Sequence, residues 1–370
     1  MKREENNLVR VLQIVTYMGR GGLETMLMNY YRHMDRSKIQ FDFLVHRDFE
    51  ADYDQEIQGM GGRIYHVSRL VPWSGSYRKE LKRFFAEHPE YRIIHVHQDC
   101  LSSVALQCAK ECGVPVRIAH SHSCSAAKNV KYPVKVYYMK QISRYATNLL
   151  ACGEGAGDWM FGGSSYQIIR NAIDSADYCY SPVVAKQVRE ELHVDDCSVI
   201  GHVGNFTAAK NYDFLLAIFR EIRKLGVKAK LLLVGGGNDW EVIQKKVKKM
   251  GIQNQVIFTG IRTDVNRLMQ AMDVFVFPSL FEGLPVTLIE AQVSGLPCMI
   301  SDQISEECMV TNGVVVTKSL SEPPSRWARD ILKLIHHPRK NHTKEIQASG
   351  YDIGSAARQL EKFYLQNSGE

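Results

Sequence analysis

Short apolar runs alternate along the chain with amphipathic stretches, and this alternation predicts an α/β fold. The runs are continuously apolar, which is typical of parallel strands that are buried on both faces. A first series of strands is predicted at 8–16, 41–45, 63–67, 93–97, 116–120, 148–151 and 167–169. A second series is predicted at 199–203, 229–234, 256–259, 274–277, 297–300 and 313–316. Each series predicts one doubly wound domain.

Helical patterns lie between these strands, and together with the chain length they predict two domains. The predicted helices include 76–87, 101–111, 134–144, 213–225, 239–250 and 353–366. A chain of 370 residues is too long for a single core. A turn at 170–174, followed by a connector, separates the two series of strands. We therefore expect one domain over residues 1–175 and a second over residues 176–352.

The composition argues against several classes of protein. Apolar residues make up 45% and charged residues 23% of the chain, so a disordered protein is not expected. No apolar run approaches the roughly 20 residues of a membrane span, and residues 1–7 are polar with no signal-peptide core after them. These features predict a cytoplasmic protein. The nine cysteines are scattered without a CxxC pair, which predicts reduced thiols and neither a zinc site nor disulfides.

The net charge of +6 is modest. It is compatible with phosphate-bearing substrates or an anionic membrane face, and it is too low to predict nucleic-acid binding, for which the chain has no motif. One stretch of the first domain is both basic and aromatic. It is either a solvated helix face or a peripheral docking surface for anionic lipid headgroups. Its basic residues are Lys128, Lys131, Lys135, Lys140 and Arg144.

The segment 278–297 carries the strongest candidate chemistry. A strand ends before Pro278, a turn follows, and a helix is predicted with Pro285 in its first turn and Gly295 as its C-cap. Glu282 then lies on a loop at the carboxyl edge of a sheet, where α/β proteins bind ligands, and Glu290 lies in the helix. The first amides of the helix would bind an anion. These amides belong to Val286 and Thr287.

From the spacing alone, the two glutamates are also compatible with solvated side chains on an amphipathic helix. The residues around them resemble a known signature: Pro278-Ser279, Glu282-Gly283-Leu284-Pro285 and the spacing to Glu290 match the E-x7-E block of retaining GT-B glycosyltransferases of family 4. That family serves bacterial polysaccharide and lipid-glycan synthesis. The resemblance extends from about residue 8 to the last helix. It implies two Rossmann-like domains facing a cleft, with the helix at about 353–370 packing on the first domain.

The resemblance also implies an activity. A hexose would pass, with retention of configuration, from a nucleotide-diphosphate sugar, above all a UDP-sugar, to a hydroxyl of a glycan or lipid-linked acceptor. No metal or other cofactor is expected, because a lysine and helix amides would stabilise the leaving diphosphate. Glu290 would hold the ribose diol, Glu282 would bind the sugar hydroxyls, and the leaving phosphate would take the acceptor proton. Gly283 and Leu284 complete the implied donor loop.

Two other loops resemble motifs of the family. The turn after the first strand resembles its G-G-x-E/N loop, in which Gly21 and Gly22 would approach the donor phosphate and Glu24 would face the acceptor or the sugar. In the second domain the family pattern is G-R-x4-K. Lys210 occupies the lysine position and Asn205 the arginine position. Because Asn205 brings no charge, weak donor binding, an altered donor and lost activity all remain open.

Four histidines lie near the carboxyl ends of two predicted strands in pairs spaced i, i+2, so each pair is able to point to one face. They are His95, His97, His120 and His122. A zinc site is one alternative, although no carboxylate or thiolate spacing supports it, and hydrogen-bonded core histidines are another. The resemblance implies that His120, or else His122, contacts the donor sugar. Arg262 is either a base-contacting residue or a surface arginine.

Two rival functions remain. The first is a GT-B nucleotide-sugar epimerase, against which the block from Glu282 to Glu290 argues. The second is a catalytically weak paralogue that binds a nucleotide or a partner enzyme, and Asn205 is the residue that supports it.

Overall fold

The computed structural model describes residues 8–124 and 130–368. The chain forms two compact units. The first unit comprises Met1–Ile173 together with Ile353–Glu370, and the second comprises Asp174–Asp352. Each unit is an α/β domain built around one parallel sheet.

The first unit has a seven-stranded sheet in the order β3-β2-β1-β4-β5-β6-β7. All its neighbouring strands are parallel. The strands are β1 (Val9–Ile14), β2 (Ile39–Val45), β3 (Ile64–His66), β4 (Ile93–Val96), β5 (Val116–Ser121), β6 (Asn148–Ala151) and β7 (Gln167–Ile168). The helices are α1 (Gly22–His33), α2 (Asp54–Gly59), α3 (Gly75–Glu87), α4 (Ser102–Glu111), α5 (Tyr132–Met139), α6 (Ile142–Tyr145), α7 (Glu154–Phe161) and α15 (Ile353–Asn367).

The last helix, α15, completes the core of the first unit. Its buried residues recur at three- and four-residue spacing, and they pack against α1 and β2. Tyr364 lies edge-on to Phe41 with ring centroids 5.8 Å apart, and Phe41 stacks on Tyr31 of α1 at 5.3 Å. The amide of Ile353 donates a hydrogen bond to the carbonyl of Ile173. The expectation that the last helix packs on the first domain is confirmed.

The second unit has a six-stranded parallel sheet in the order β10-β9-β8-β11-β12-β13. The strands are β8 (Ser198–Val203), β9 (Ala229–Val234), β10 (Val256–Gly260), β11 (Val274–Phe277), β12 (Cys298–Ser301) and β13 (Val315–Lys318). The helices are α8 (Pro182–Glu191), α9 (Tyr212–Lys224), α10 (Trp240–Lys249), α11 (Val265–Gln270), α12 (Val286–Val293), α13 (Pro324–Leu334) and α14 (Thr343–Ala348). The prediction of two Rossmann-like, parallel α/β domains is confirmed.

One helix differs from its prediction. The helix expected at 134–144 is divided into α5 and α6. The amides of Gln141 and Arg144 bond to carbonyls three residues back, as in a 3₁₀ turn, and this tighter turn separates the two helices.

Two boundaries also differ. The strand expected at 313–316 begins only at Val315, because Gly313 has φ of +75°, outside the strand region. Pro285 is the N-cap of α12 and lies before its first turn, with an extended backbone at ψ of 105°. Its carbonyl accepts a hydrogen bond from the amide of Leu288.

In the described ranges 8–124 and 130–368, no helix combines the length and the apolar character that crossing a bilayer requires. The longest helix of the first unit, α15, has 15 residues, and a span needs about 20.

The end of α12 is fixed by Gly295. The amide of Gly295 bonds to the carbonyl of Gln292 and the amide of Leu296 to that of Ala291, which is the Schellman pattern. Gly295 has φ of +61°, and a Cβ atom there would lie 2.2 Å from the carbonyl oxygen of Lys340. Both the dihedral angle and the close approach therefore require glycine.

We expect Gly295→Ala to lower the melting temperature of the second unit more than Gly226→Ala does. Gly226 also has positive φ, at +78°, but a Cβ atom there meets nothing within 4 Å. The control then loses only the left-handed preference, about 1–2 kcal/mol, whereas Gly295→Ala also forces the Lys340 backbone to move. Thermal unfolding of the two variants measures the difference. Equal losses would show that the close approach to Lys340 carries no cost.

Candidate functional site

The loops that follow β8 and β11 meet at the carboxyl edge of the second sheet. The amide of Leu280 donates to the carbonyl of Ala209 at 2.8 Å, and the side-chain amide of Asn211 donates to the carbonyl of Pro278 at 3.1 Å. Asn211 has φ of +54°, a left-handed conformation that asparagine tolerates, so the chain turns sharply between Lys210 and α9. These bonds hold the two loops in register.

This register brings Lys210 and Glu282 into contact. The distance from Nζ of Lys210 to Oε1 of Glu282 is 2.7 Å, and the two side chains are only 15% and 13% exposed. Nζ also lies 4.4 Å from the ring centroid of Phe277, which adds a cation–π contact. Because the pair is shielded from water, its attraction exceeds that of a surface pair. An anion that binds Lys210 has to compete with Glu282.

Glu290 lies inside α12, and its side chain is almost fully buried. The Tyr178 hydroxyl donates to Oε1 of Glu290 at 2.8 Å. Burial raises the pKa of Glu290 to about 7, and the Tyr178 hydrogen bond opposes that rise. Tyr178 belongs to the 3₁₀ turn Ser175–Tyr178, a segment that the sequence analysis treated only as a connector.

The N-terminus of α12 lies between Glu282 and Glu290 in sequence. Leu284 is buried and anchors the loop, whereas Gly283, Val286 and Thr287 are half-buried. The amides of Val286 and Thr287 belong to the first turn, where no preceding helical carbonyl reaches them. They are donors of the kind that bind phosphate at helix N-termini.

A second glycine loop supports the same edge, and the sequence analysis missed it. The run Gly235-Gly236-Gly237 follows β9, where three glycines after an apolar strand were the available signal. The Phe206 amide donates to the carbonyl of Gly236 at 2.8 Å. A Cβ atom on Gly235 would lie 2.1 Å from the carbonyl oxygen of Gly204, and one on Gly237 would lie 2.7 Å from the Phe206 nitrogen. Glycine is thus needed for the two loops to pack.

Asn205 and Arg262 are both solvent-exposed. Asn205 lies on the loop after β8 that packs against the glycine run. The Arg262 guanidinium makes a bidentate ion pair with Asp264, with Nε–Oδ1 and Nη2–Oδ2 distances of 2.7 Å, and this pairing raises the pKa of Arg262. Its planar face remains the part of the group that would stack on a base.

In the first unit, Glu24 folds back on the start of its own helix. Gly21 is the N-cap of α1, and a Cβ atom there would lie 2.3 Å from Oε2 of Glu24. Burial raises the pKa of Glu24 to about 7, and hydrogen bonds from the Gly21 and Glu24 backbone partly oppose that rise. The contact with the Gly21 backbone is the Glu half of a capping box, because a glycine N-cap has no side chain to return a bond. Gly22 is exposed, with open space around its Cα.

The four histidines come together as two hydrogen-bonded pairs. Nε2 of His95 lies 3.1 Å from Nδ1 of His120, and Nδ1 of His97 lies 2.8 Å from Nε2 of His122. Burial lowers the pKa of all four, so the rings are neutral. Within the described ranges, nitrogens of His95, His97 and His120 lie within 4.8 Å of one another, close enough for the three rings to share a metal ion.

A cavity of about 220 Å³ opens at the carboxyl edge of the first sheet. It lies against the loops that follow β1, β2, β3 and β4. Two arginines contribute positive charge, and the side-chain oxygen of Gln98 is buried with no hydrogen-bond partner among the residues that the structure describes. The lining residues are Thr16, His46, Arg47, Arg69, Leu70, His97, Gln98, Asp99 and Leu101.

The basic and aromatic stretch is largely exposed. Lys128 lies outside the described residues, Lys135 is half-buried, and the other three basic residues named for this stretch are exposed. No residue of α5 is buried. The helix and the residue two before it also expose apolar side chains. These are Val130 (93% exposed), Val134 (37%) and Tyr137 (64%).

We expect the Glu290→Gln variant to lose less stability than the wild-type protein as the pH rises to neutral. The folded protein holds the Glu290 proton up to about pH 7, whereas the unfolded chain releases it near 4.5. Ionisation therefore favours the unfolded state as the pH rises between these values, by roughly 3 kcal/mol. Below this window the group is protonated in both states and contributes nothing. Thermal unfolding at about pH 5 and about pH 8 measures the effect.

Between the two pH values, the melting temperature of the second unit should fall further in the wild-type protein than in the Glu290→Gln variant. Glu24 is present in both proteins, so its own ionisation cancels in the comparison. Identical losses in the two proteins would contradict the raised pKa of Glu290.

Comparison with known proteins identifies the family. The model of "Glycosyltransferase Family 4" matches residues 20–177 and that of "Glycosyl transferases group 1" matches residues 184–351. EpsF of Bacillus subtilis (strain 168), named as a glycosyltransferase, is 36% identical over 356 residues, 93% of each chain. The capsular polysaccharide biosynthesis glycosyltransferase CapH of Staphylococcus aureus is 22% identical over 98% of this chain and 100% of its own.

A solved structure shares the fold. The Anabaena protein HepE, in complex with UDP-glucose, superposes with a TM-score of 0.74 over 97% of this chain and 98% of its own, at 18% identity. The family models, the relationship to EpsF and the shared two-domain architecture lead to one conclusion: the chain belongs to the GT-B glycosyltransferases of the group 1 and family 4 type.

Proposed function

We propose that the protein is a retaining, metal-independent hexosyltransferase that uses a nucleotide-diphosphate sugar, above all a UDP-sugar. The acceptor is a hydroxyl of a glycan or lipid-linked intermediate in surface polysaccharide synthesis. The observation that carries the proposal is the shielded contact between Lys210 and Glu282 beside the N-terminus of α12. The names of CapH and of the UDP-glucose complex of HepE support the pathway and the donor.

The second unit holds the donor in this proposal. Glu290 accepts hydrogen bonds from the ribose hydroxyls, and Tyr178 orients its carboxyl group. The amides of Val286 and Thr287 bind the diphosphate together with Lys210. Burial deprives the Glu290 carboxylate of hydrogen bonds to water. The ribose hydroxyls replace these bonds and so favour the ionised form of Glu290.

Donor binding exchanges the partner of Lys210. The diphosphate takes the ammonium group, and Glu282 is released to accept hydrogen bonds from the sugar hydroxyls and to stabilise the positive charge that develops at the anomeric carbon. The bond between that carbon and the phosphate oxygen breaks, and its electron pair leaves with the nucleoside diphosphate. The acceptor oxygen bonds to the same face while its proton passes to the leaving phosphate, so no protein base is needed.

Two observations bear on the choice between an active transferase and a paralogue that only binds nucleotide. Asn205, a neutral, exposed asparagine at the position of the family arginine, favours weak turnover, and thus a binding-only paralogue. The pairing of Lys210 with Glu282 favours an enzyme, because a protein that only bound nucleotide would not need Glu282. The epimerase alternative receives no support from these residues.

The acceptor side is proposed to include the cavity of the first unit. Arg47 and Arg69 supply positive charge at its wall, which suits the phosphate of a lipid-linked acceptor. The glycine loop with Gly21, Gly22 and Glu24, and the sugar contact of His120, remain predictions.

We expect Glu290→Ala to weaken nucleotide binding about tenfold to a hundredfold, because it removes hydrogen bonds to a charged group. Glu282→Ala should leave nucleotide affinity unchanged or tighter, since it frees Lys210, and should lower the transfer rate by about 10²–10³. Calorimetric titration with UDP, GDP and ADP in EDTA measures binding, and release of the nucleoside diphosphate measures transfer. Glu241→Ala, an exposed glutamate of α10, is the matched control.

The assignment of the site is wrong if both glutamate variants transfer sugar at the parent rate. If a nucleotide binds but no donor sugar turns over, and Asn205→Arg does not restore turnover, the binding-only paralogue is the correct alternative. Failure of every nucleotide to bind in EDTA, followed by binding when a divalent ion is added, would exclude a metal-independent site.

We also propose that α5 docks on anionic membrane surfaces. Its exposed apolar residues and the lysines beside them form the amphipathic combination that binds headgroups. Replacing Lys131, Lys140 and Arg144 with glutamine should weaken binding to phosphatidylglycerol-containing vesicles about a hundredfold, at about 1 kcal/mol for each charge. Sedimentation with vesicles measures binding, and pure phosphatidylcholine vesicles report the uncharged background.

The matched control removes three lysines from the exposed face of α10. These are Lys245, Lys248 and Lys249. This control keeps the same net charge as the α5 variant. Equal loss of vesicle binding in both variants would show that overall charge, and no particular surface, governs the interaction.

A further inference from the structure

A chain of buried hydrogen bonds joins six side chains of the first unit. They come from β1, β4, the end of β5 and α15, and we call them the imidazole chain. The six are Gln13, His95, His97, His120, His122 and Tyr364. All except His122 are buried to 4% exposure or less.

The middle of the imidazole chain is an amide and a phenol. Oε1 of Gln13 lies 2.9 Å from Nε2 of His97, and Nε2 of Gln13 donates to the Tyr364 hydroxyl at 3.3 Å. The same hydroxyl lies 2.7 Å from Nδ1 of His95. Tyr364 and Gln13 therefore connect the two histidine pairs.

Each end of the imidazole chain is a histidine ring with one nitrogen left over. His95 continues to His120, and His97 continues to His122. Nε2 of His120 and Nδ1 of His122 are buried, and no hydrogen-bond partner for them exists in the described ranges. The centroids of these two rings are 4.0 Å apart, so the two ends of the imidazole chain lie on adjacent rings.

The direction of every bond in the imidazole chain is coupled to the others. A neutral imidazole has one N–H and one lone pair. Because Oε1 of Gln13 accepts from His97, Nδ1 of His97 must accept from His122, and Nδ1 of His122 is left as a lone pair. Because the Gln13 amide donates to Tyr364, the hydroxyl proton goes to His95, and His95 then donates to His120.

His120 consequently presents an N–H at Nε2, and His122 presents a lone pair at Nδ1. Turning over the Gln13 amide would reverse all the bonds together, and the two ends would still be one donor and one acceptor. A hydroxyl group, like a water molecule, both accepts and donates at one oxygen.

We propose that Tyr364 and Gln13 are positioning residues that fix the tautomers of His120 and His122, so that these two rings present one donor and one acceptor to a sugar hydroxyl. The identity of the ligand as a sugar rests on the proposed glycosyl transfer. The setting of the tautomers does not, because it follows from the contacts of the free protein. The last helix of the chain thereby acts on the histidines without contacting the substrate.

Zinc is the competing explanation for the cluster. A tetrahedral zinc with bonds of about 2.0–2.1 Å to nitrogen would hold its ligand nitrogens roughly 3.3 Å apart. The nitrogens of His95, His97 and His120 lie within 4.8 Å of one another, and the contact between Nε2 of His95 and Nδ1 of His120 is a hydrogen bond. A bound zinc would replace the proton of this bond.

The experiment is a long-range ¹H–¹⁵N correlation spectrum of histidine side chains in the full chain, which reports the tautomer of each ring. The free wild-type protein should show His120 and His122 each as one tautomer, both protonated at Nε2 or, with the Gln13 amide turned over, both protonated at Nδ1. Tyr364→Phe removes a single hydroxyl. In this variant His95 and His120 should become mixtures of tautomers, while His97 and His122, still held by Gln13, should stay fixed.

The transfer reaction provides the second readout. Tyr364→Phe should lower kcat about tenfold, as expected for one lost hydrogen bond, and should leave UDP affinity unchanged. Tyr30→Phe is the matched control, because Tyr30 is also a fully buried tyrosine of this core, and its hydroxyl donates to the Arg170 carbonyl at 2.7 Å, outside the imidazole chain. It should change neither the tautomers nor kcat.

Unchanged tautomers of His95 and His120 in Tyr364→Phe would overturn the proposal. Should that variant fail to fold, Gln13→Met breaks the chain at its centre and must mix the tautomers of His97 and His122. Stoichiometric zinc in EDTA-treated protein would also overturn it, in favour of a metal site. If the tautomers behave as expected but no sugar is transferred, the glycosyltransferase proposal fails and the positioning role stands.

Discussion

The hydrogen bonds between the loops that follow β8 and β11 are the interaction on which the second unit depends for its chemistry. These strands are neighbours in the sheet, although 70 residues lie between Val203 and Val274. The bond from the Leu280 amide to the Ala209 carbonyl fixes one loop against the other. Without it, the ammonium group of Lys210 and the carboxylate of Glu282 would be tethered to separate, independently moving loops.

The unliganded protein keeps its polar site groups uncharged or paired. Burial raises the pKa values of Glu24 and Glu290 to about 7, burial lowers those of four histidines, and Lys210 pairs with Glu282. An isolated buried charge is costly, so each group is held in the form that its surroundings tolerate. In the proposed reaction, the hydroxyls and phosphates of the donor would supply hydrogen-bond partners to Glu290 and Lys210 in the second unit.

Strand positions were predictable because apolar runs such as Val274–Phe277 are long enough to identify buried parallel strands. The packing of the last helix on the first domain was predictable from the family resemblance. The buried face of that helix follows from the helical spacing of its apolar residues. The contact of Lys210 with Glu282 was not predictable from spacing, since it depends on Asn211 adopting a left-handed conformation. Tyr178 and Tyr364 were missed because the groups that they contact, Glu290 and His95, lie over 100 residues away in the sequence.

The position of α15 in the first unit has a consequence for how the protein is made. Residues 353–367 are synthesised after the whole of the second unit, yet they supply part of the core of the first unit against α1 and β2. At about 5–20 residues per second, the 179 residues from 174 to 352 delay that core by roughly 10–40 seconds. The second unit, contiguous in sequence, completes its sheet during this interval. The first unit, although it begins earlier in the chain, therefore completes its core only after the second unit has been synthesised.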